Sequence, residues 1–135
     1  MADERQQTPS DLRFSKRLRL LKSEEFDAVF GAKCSSGDGV LIVYAWPNAL
    51  GHPRLGLVVS KKVGKAVRRN RWKRLLREAF RLAQCELPAM DFVCLPRLRD
   101  QPTLAAIDGS LRRQAAQLAK KAARRQATAN EPGER

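Results

Sequence analysis

Hydrophobic and polar residues follow a helical period between residues 66 and 83. Six apolar side chains in this segment fall at offsets of 0, 3, 4, 7, 8 and 11 from the first, which places them on one face of a helix. They are Trp72, Leu75, Leu76, Ala79, Phe80 and Ala83. We therefore predict a helix over residues 66–83 whose apolar face packs on a sheet. The polar residues of the opposite face are Asn70, Arg74, Arg77 and Arg81, with Lys73 beside them.

A shorter helix is predicted near the N-terminus. Ser23 is a suitable N-cap and Gly31 a natural stop, so we place this helix over residues 23–30. Phe26 and Phe30 are four residues apart and share one of its faces. That face either packs in the core or leaves one or both rings partly exposed as a stacking surface.

Three apolar runs rich in β-branched and aromatic residues predict strands, over residues 40–46, 54–62 and 91–95. We expect the first two to pair as a hairpin, and residues 34–39 to form a turn-rich linker. A long C-terminal helix is predicted over residues 103–125. Its apolar stripe contains Leu104, Ile107, Leu111, Ala115, Leu118 and Ala122.

The resulting order, α-β-β-α-β-α, predicts an α+β sandwich of helices on a small sheet. A chain of 135 residues fits one domain, which we assign to residues 14–125. The polar segments 1–13 and 126–135 are predicted to be disordered tails.

Charge changes the interpretation of the long basic helix. The chain carries 27 Lys and Arg against 14 Asp and Glu, a net charge of +13. Ten of these cations lie between residues 61 and 81, where Glu78 is the one acid. Such a concentration indicates a polyanionic partner, either nucleic acid or an anionic membrane surface. The longest apolar run, residues 40–46, is far shorter than the roughly 20 residues of a membrane span. The N-terminus shows no signal-peptide pattern. We therefore expect a cytoplasmic protein without a membrane role.

Residues suited to catalysis or metal binding are scarce. The three cysteines form no C-x-x-C pair, and His52 is the one histidine. Neither a carboxylate cluster for Mg²⁺ nor a phosphate-binding glycine loop is visible. We therefore predict no catalytic residues and no metal site in this chain, which leaves binding as its chemistry.

The basic segment, SKKVGKAVRRNRWKRLLREAFR, resembles the protein subunit of bacterial ribonuclease P, whose R-N-R signature corresponds to Arg69, Asn70 and Arg71. The flanking segments RLRLLKSEEFDAVF, VLIVYAW and DFVCLPR agree with this family, and the resemblance covers about residues 14–120. It departs from the expected pattern at Pro96, which puts the end of the third strand in question.

The resemblance implies both a fold and an activity. The fold would be a small, mainly antiparallel sheet with a left-handed β-α-β crossover, of the ribosomal protein S5 domain 2-like kind. The activity would be endonucleolytic removal of the 5′ leader from precursor tRNA, making the holoenzyme an endoribonuclease. The partners would be a catalytic RNA subunit, which binds Mg²⁺ and supplies the catalysis, and the precursor tRNA. We expect a monomeric protein, one copy per RNA.

The resemblance also implies two groups of binding residues. The RNA-binding residues matched in this way would be Lys61, Lys62, Arg69, Asn70, Arg71, Lys73, Arg74 and Arg77. The positive charge of the same segment adds Lys65, Arg68 and Arg81 to the predicted RNA-binding set. The leader-binding cleft, expected to be a separate surface, would contain Phe26, Phe30 and Tyr44. For Asn70 three interpretations are open: a hydrogen bond to RNA, one to a neighbouring arginine, or a role in beginning the helix. A non-enzymatic RNA-binding or ribosome-associated module is the alternative function.

Overall fold

The structure is a computed structural model that describes residues 16–97 and 100–130, with side chains through residue 128 at the C-terminal end. The tail predicted at residues 1–13 lies outside the described residues. Within them the chain forms three α-helices and four strands. The helices are α1 (Ser23–Ala32), α2 (Ala66–Ala83) and α3 (Leu104–Asn130), and the strands are β1 (Ser35–Gly37), β2 (Leu41–Pro47), β3 (Arg54–Leu57) and β4 (Met90–Pro96).

The four strands form one mixed sheet in the order β1-β2-β4-β3. β2 is antiparallel to β1 and β4, whereas β3 runs parallel to β4. The β-α-β unit implied by the resemblance is therefore β3-α2-β4. The predicted hairpin is wrong, because β4 lies between the two strands that we expected to pair. Three consecutive residues of β4, Phe92, Val93 and Cys94, are fully buried, so both of its faces are covered, as in a central strand.

Helix α2 has the predicted bounds, and the six apolar residues of its predicted face are all buried. Trp72, Leu76 and Phe80 are fully buried in the main core. They share this core with Leu41 and Val43 of β2 and with the apolar stripe of α3. Helices α2 and α3 thus lie on one face of the sheet, and the shorter α1 lies on the other, against β2 and β4.

The second strand is shorter than predicted. β3 ends at Leu57, and residues Lys61–Val63 form a turn of 3₁₀ helix instead of strand. The third strand continues one residue further than predicted, to Pro96, and the amide of Arg97 still donates to the carbonyl of Val40 at 2.9 Å. Pro96 therefore ends β4 without shortening it.

Helix α1 has different ends from those predicted. Its N-cap is Lys22 rather than Ser23, because the carboxylate of Glu25 accepts from the amides of Leu21 and Lys22 at 2.7 and 2.9 Å. A glutamate that reaches back in this way satisfies the free amides that a serine cap would otherwise bind. At the other end the helix passes the predicted stop at Gly31 and finishes at Ala32.

Helix α3 and strand β1 correct two boundaries. The predicted linker at residues 34–39 contains β1, which adds a fourth strand at the edge of the sheet. Helix α3 continues to Asn130, so residues 126–130, assigned to a disordered tail, are helical. Residues 131–135 lie outside the described part of the chain.

Asp38, in the turn between β1 and β2, joins this edge to α3. Its carboxylate accepts from the amides of Val40 and Leu41 at 2.8 and 3.0 Å and from the hydroxyl of Ser110 at 2.7 Å. A further donor is the guanidinium of Arg113, at 3.1 Å. Burial alone would raise the pKa of Asp38, but these hydrogen bonds outweigh burial and lower the pKa to about 2.

We predict that Asp38 contributes to acid sensitivity. The pKa of Asp38 is lower in the folded state, so its ionised carboxylate stabilises the fold. This stabilisation is complete above the unfolded pKa of about 4 and is lost as the pH falls towards about 2. The Asp38→Asn variant should be less stable near neutral pH, with a smaller loss of stability across that acid range. Urea unfolding over a pH series measures this, and parallel curves for both proteins would contradict it.

Candidate nucleic-acid interface

The solvent-facing side of α2 and the turn before it form a basic ridge. Because the apolar face of α2 is buried, the polar face must point outwards. Most members of the ridge are exposed, and Lys73 is half-buried. The ridge consists of Lys61, Lys62, Lys65, Asn70, Arg71, Lys73, Arg74 and Arg77. The orientation predicted from the helical period is therefore confirmed, whereas contact with RNA stays a prediction.

Two other arginines predicted to bind RNA also hold the turn before α2 in place. Arg68 donates through Nε to the carbonyl of Val63 at 2.9 Å and through Nη2 to that of Asp100 at 2.8 Å. Arg69 donates through Nε to the carbonyl of Gly64 at 3.1 Å. Backbone carbonyls do not neutralise a guanidinium, so both residues still add positive charge beside the ridge.

Arg81, the last predicted RNA-binding residue, differs from the ridge because it has an acidic partner. Its Nε and Nη2 atoms lie 3.1 and 2.6 Å from the two carboxylate oxygens of Glu78. The hydrogen bond from Arg81 lowers the pKa of Glu78, so the pair is ionised at neutral pH. This compensation makes Arg81 the weakest candidate of the set for binding an anion.

Asn70 is exposed in the middle of the ridge. Helix α2 already begins at Ala66, so Asn70 does not begin the helix. Among the described residues its side chain has no hydrogen-bond partner, including the neighbouring arginines. A hydrogen bond from Asn70 to RNA stays a prediction.

A second candidate surface lies between α1 and the sheet. The rings of Phe30 and Tyr44 meet edge to face, with centroids 4.8 Å apart and planes at 74°. Both are half-buried, as is Phe26, beside the buried Val29 and Val93. Each ring therefore packs against the domain with one part and meets solvent with another, whereas stacking on a base stays a prediction.

Gly56 of β3 explains how Phe26 reaches the sheet. A Cβ atom at this position would lie 2.6 Å from Cε2 and 2.8 Å from Cζ of Phe26, and 3.0 Å from Cδ1 of Leu20. These distances are shorter than any ordinary contact between carbon atoms. The glycine thus leaves space that the Phe26 ring fills.

The two candidate surfaces meet at one pocket, although the sequence predicted that they were separate. The pocket has a volume of about 250 Å³ and opens between the segment before α1, strand β3 and helix α2. Its lining residues are Arg19, Leu20, Leu21, Phe26, Leu55, Leu57, Lys73 and Arg77. An aromatic ring and two cations of the ridge therefore face the same space, an arrangement suited to a nucleotide with its base on the ring and its phosphate near the cations.

An ion-pair network holds the first turn of α1 against the sheet. Arg54 of β3 donates to Asp91 of β4 at 2.8 and 2.9 Å and to Glu25 of α1 at 3.1 Å. The hydrogen bonds that Arg54 donates to Asp91 raise the pKa of Arg54, so its guanidinium stays charged. Because Glu25 also binds the amides before α1, one carboxylate fixes both the start of the helix and its distance from β3.

Catalytic and metal-binding chemistry has little support within residues 16–97 and 100–130. They contain no group of three or more His, Cys, Asp or Glu side chains that could hold a metal ion. Cys34 and Cys94 are buried, and burial raises the pKa of Cys94 to about 12, which keeps it an unreactive thiol. No helix in this described part is both long and apolar enough to cross a membrane.

Comparison with solved structures defines the class of fold. The ribonuclease P protein of Staphylococcus aureus superposes with a TM-score of 0.66 at 32% identity, covering 76% of this chain and 95% of the other. The protein from Thermotoga maritima gives a TM-score of 0.64 at 31% identity, covering 70% and 92%. The chain therefore has the α+β fold of ribonuclease P proteins.

Sequence comparison agrees with the fold. The model of the Ribonuclease P family matches residues 14–123. The ribonuclease P protein component of Methylococcus capsulatus is 51% identical over 85 residues, which are 62% of this chain and 66% of that protein. The component from Salmonella paratyphi A is 51% identical over 87 residues, or 64% and 73%. The chain belongs to the ribonuclease P protein family.

We predict that Gly56→Ala destabilises the protein and displaces Phe26. Forcing a methyl group into this contact should lower the free energy of unfolding by about 1–3 kcal/mol. Gly31→Ala is the matched control, because a Cβ there has no atom within 4 Å and the position is an exposed helical one. That change should be neutral or stabilise by about 0.5–1 kcal/mol. Urea unfolding of both variants is the measurement, and equal stabilities would refute the close contact.

Proposed function

We propose that this chain is the protein subunit of a ribonuclease P holoenzyme. It binds a catalytic RNA through the basic ridge, holds the 5′ leader of precursor tRNA, and supports the endonucleolytic removal of that leader. The observation that carries the proposal is the outward-facing ridge on α2, in a chain of the ribonuclease P family. In this proposal the partner RNA provides the reacting groups and binds Mg²⁺, as the family resemblance implies.

The chemistry of the ridge supports binding to RNA phosphates. Each phosphate that a Lys or Arg neutralises releases condensed counterions, so the affinity should fall steeply with salt. Arginine predominates on α2, and its planar guanidinium can donate two hydrogen bonds to one phosphate or stack on a base. Asn70 adds a neutral amide to this surface, suited to a directional hydrogen bond with a base or a ribose.

The pocket beside Phe26 supports a contact with single-stranded leader. Bases of an unpaired strand can stack on exposed aromatic rings, while nearby cations bind the phosphates between them. Phe26, Phe30 and Tyr44 provide rings along the α1 side of the sheet, and Lys73 and Arg77 line the same pocket as Phe26. The leader would therefore pass close to the helix that binds the RNA subunit.

Reconstitution with a bacterial ribonuclease P RNA and a precursor tRNA tests the function. We expect cleavage at the 5′ end of the tRNA by the complex and none by the protein alone. A plot of log affinity against log salt concentration should be steep, with a slope of roughly 0.7–0.9 per phosphate contact. Metal-dependent cleavage by the protein without RNA would overturn the proposal that the RNA catalyses the reaction and the protein only binds. Binding to RNA without any effect on cleavage would favour a non-enzymatic module.

Variants of the ridge locate the contact within this assay. Arg74→Ala should weaken assembly and reduce the salt slope by about one, because it removes one cation from the ridge. Asn70→Ala should weaken assembly with no change in that slope, since no charge is lost. Lys120→Ala removes an exposed cation from α3 and is the matched control. Wild-type assembly by the Asn70 variant would rule out its specific role.

We predict that Phe26→Ala weakens binding of precursor tRNA more than binding of mature tRNA. Loss of one stacked base should cost about 1–3 kcal/mol, or roughly 5- to 150-fold in affinity. Since the ring is half-buried, the variant should lose less stability than the about 3–5 kcal/mol of a fully buried phenylalanine. Thermal melting and both affinities are measured together, with the exposed Leu50→Ala as the control. An unfolded variant, or an equal loss for both tRNAs, would favour a purely structural role.

A further inference from the structure

One side of α3 carries a row of polar side chains that bind the segment joining α1 to β2. The hydroxyl of Ser110 donates to Asp38 at 2.7 Å, and the amide of Gln114 donates to the carbonyl of Leu41 at 3.0 Å. The contacts closest to α1 are the ammonium group of Lys121 on the carbonyl of Ser35 at 2.8 Å and the guanidinium of Arg125 on two carbonyls. This row, which we call the polar seam, consists of Ser110, Gln114, Lys121 and Arg125. It extends into the part of α3 that the sequence assigned to the end of the domain.

Arg125 binds the end of α1 itself. Its Nη1 atom donates to the carbonyl of Ala32 at 2.7 Å and its Nη2 atom to that of Lys33 at 2.9 Å. Ala32 is the last residue of α1, and Lys33 is its C-cap, with a left-handed φ of 54° and an amide that donates to the carbonyl of Phe30. Carbonyls at a helix end lack partners within the helix and carry partial negative charge, so a planar cation with two donors suits them.

Helix α1 is therefore held at both ends by arginines from other elements. Arg54 of β3 binds Glu25 in the first turn, and Arg125 of α3 binds the carbonyls at the last turn. Phe26 and Phe30 lie between these two points. The C-terminal contact is the nearer one to Phe30, whose own carbonyl accepts from the capped residue Lys33. The position of Phe30 against Tyr44 thus depends on the turn that Arg125 fixes.

We infer that Arg125 is a positioning residue for the leader-binding cleft. It acts through the last turn of α1, and it links the C-terminal part of α3 to a surface that α3 does not itself form. This inference rests on the proposed function, since it assigns the cleft to the leader. The guanidinium is exposed, so its removal should leave the core and the basic ridge folded. The effect should therefore appear in the geometry of α1 rather than in global stability.

Arg125→Ala and Arg124→Ala form a matched pair. Both residues are exposed and each substitution removes one positive charge from the same turn of α3, but the side chain of Arg124 has no hydrogen bond to the described residues. In the reconstituted holoenzyme, Arg125→Ala should raise KM for a precursor with a long leader by about three- to tenfold. The value of kcat at saturation, assembly with the RNA subunit and the affinity for mature tRNA should stay unchanged. Arg125→Lys, which keeps the charge but loses the planar pair of donors, should recover part of the loss, and Arg124→Ala should match the wild type.

Amide hydrogen exchange on the protein without RNA tests the structural step separately. Residues at the end of α1, from Phe30 to Lys33, should exchange faster in Arg125→Ala than in Arg124→Ala, while the amides of α2 stay equally protected. Equal exchange in the two variants would overturn the inference, whatever the holoenzyme does. Faster exchange with an unchanged KM, or a KM effect that is the same in both variants, would overturn it as well. A wild-type protein that fails to support cleavage would instead remove the proposed function, and the cleft assignment with it.

Discussion

Burial of one face of α2 is the constraint on which the rest of the molecule depends. Trp72, Leu76 and Phe80 are fully removed from solvent between the sheet and α3. The indole N–H of Trp72 is buried without any hydrogen-bond partner among the described residues. Desolvation of such a group costs about 1–3 kcal/mol, so the hydrophobic burial of this helix face outweighs that cost. A helix fixed so firmly about its own axis cannot turn its cations towards the protein. The basic ridge is therefore held outwards by the core, with its charges in a defined order.

The ion pairs explain why the charge of the ridge stays uncompensated. In the described part of the chain, the acids that form salt bridges bind Arg54, Arg81, Arg112 and Arg113. None of these four arginines belongs to the ridge. Some of these acids join elements: Asp91 and Glu25 connect β4 and α1 to β3, and Asp38 connects the β1-β2 turn to α3. Glu78 and Asp108 instead pair with arginines of their own helices. Since neighbouring cations repel each other, a surface left in this state gains most from a partner that carries dense negative charge.

The sequence predicted those features that depend on local periodicity, and missed those that depend on partners distant along the chain. Helix α2 was predicted with its bounds and its buried face, because six apolar residues at a 3.6-residue period fit only a helix that buries that face. The position of β3 was wrong because an apolar run indicates a strand but not its neighbour. The uninterrupted apolar run at Phe92, Val93 and Cys94 was the available signal for a central strand, because strands covered on both faces lack the polar alternation of edge strands. The polar seam had no such signal. In the sequence Lys121 and Arg125 are indistinguishable from other cations on the polar side of α3, and only the folded chain brings the end of α1 and strand β1 next to them.

The pocket shared by Phe26, Lys73 and Arg77 changes how the two candidate surfaces relate to each other. Lys73 and Arg77 are fixed by the buried face of α2, whereas Phe26 is fixed by α1, through Gly56 below it and Glu25 at the helix start. An RNA bound along the ridge would bring its phosphates to one wall of the pocket, and an unpaired strand on the ring would occupy the other. Because both walls are anchored to the same small sheet, their separation is set by the fold and not by either ligand. A single rigid domain can in this way hold two nucleic-acid strands in a fixed relation, which is what a protein needs if its contribution to a reaction is position rather than chemistry.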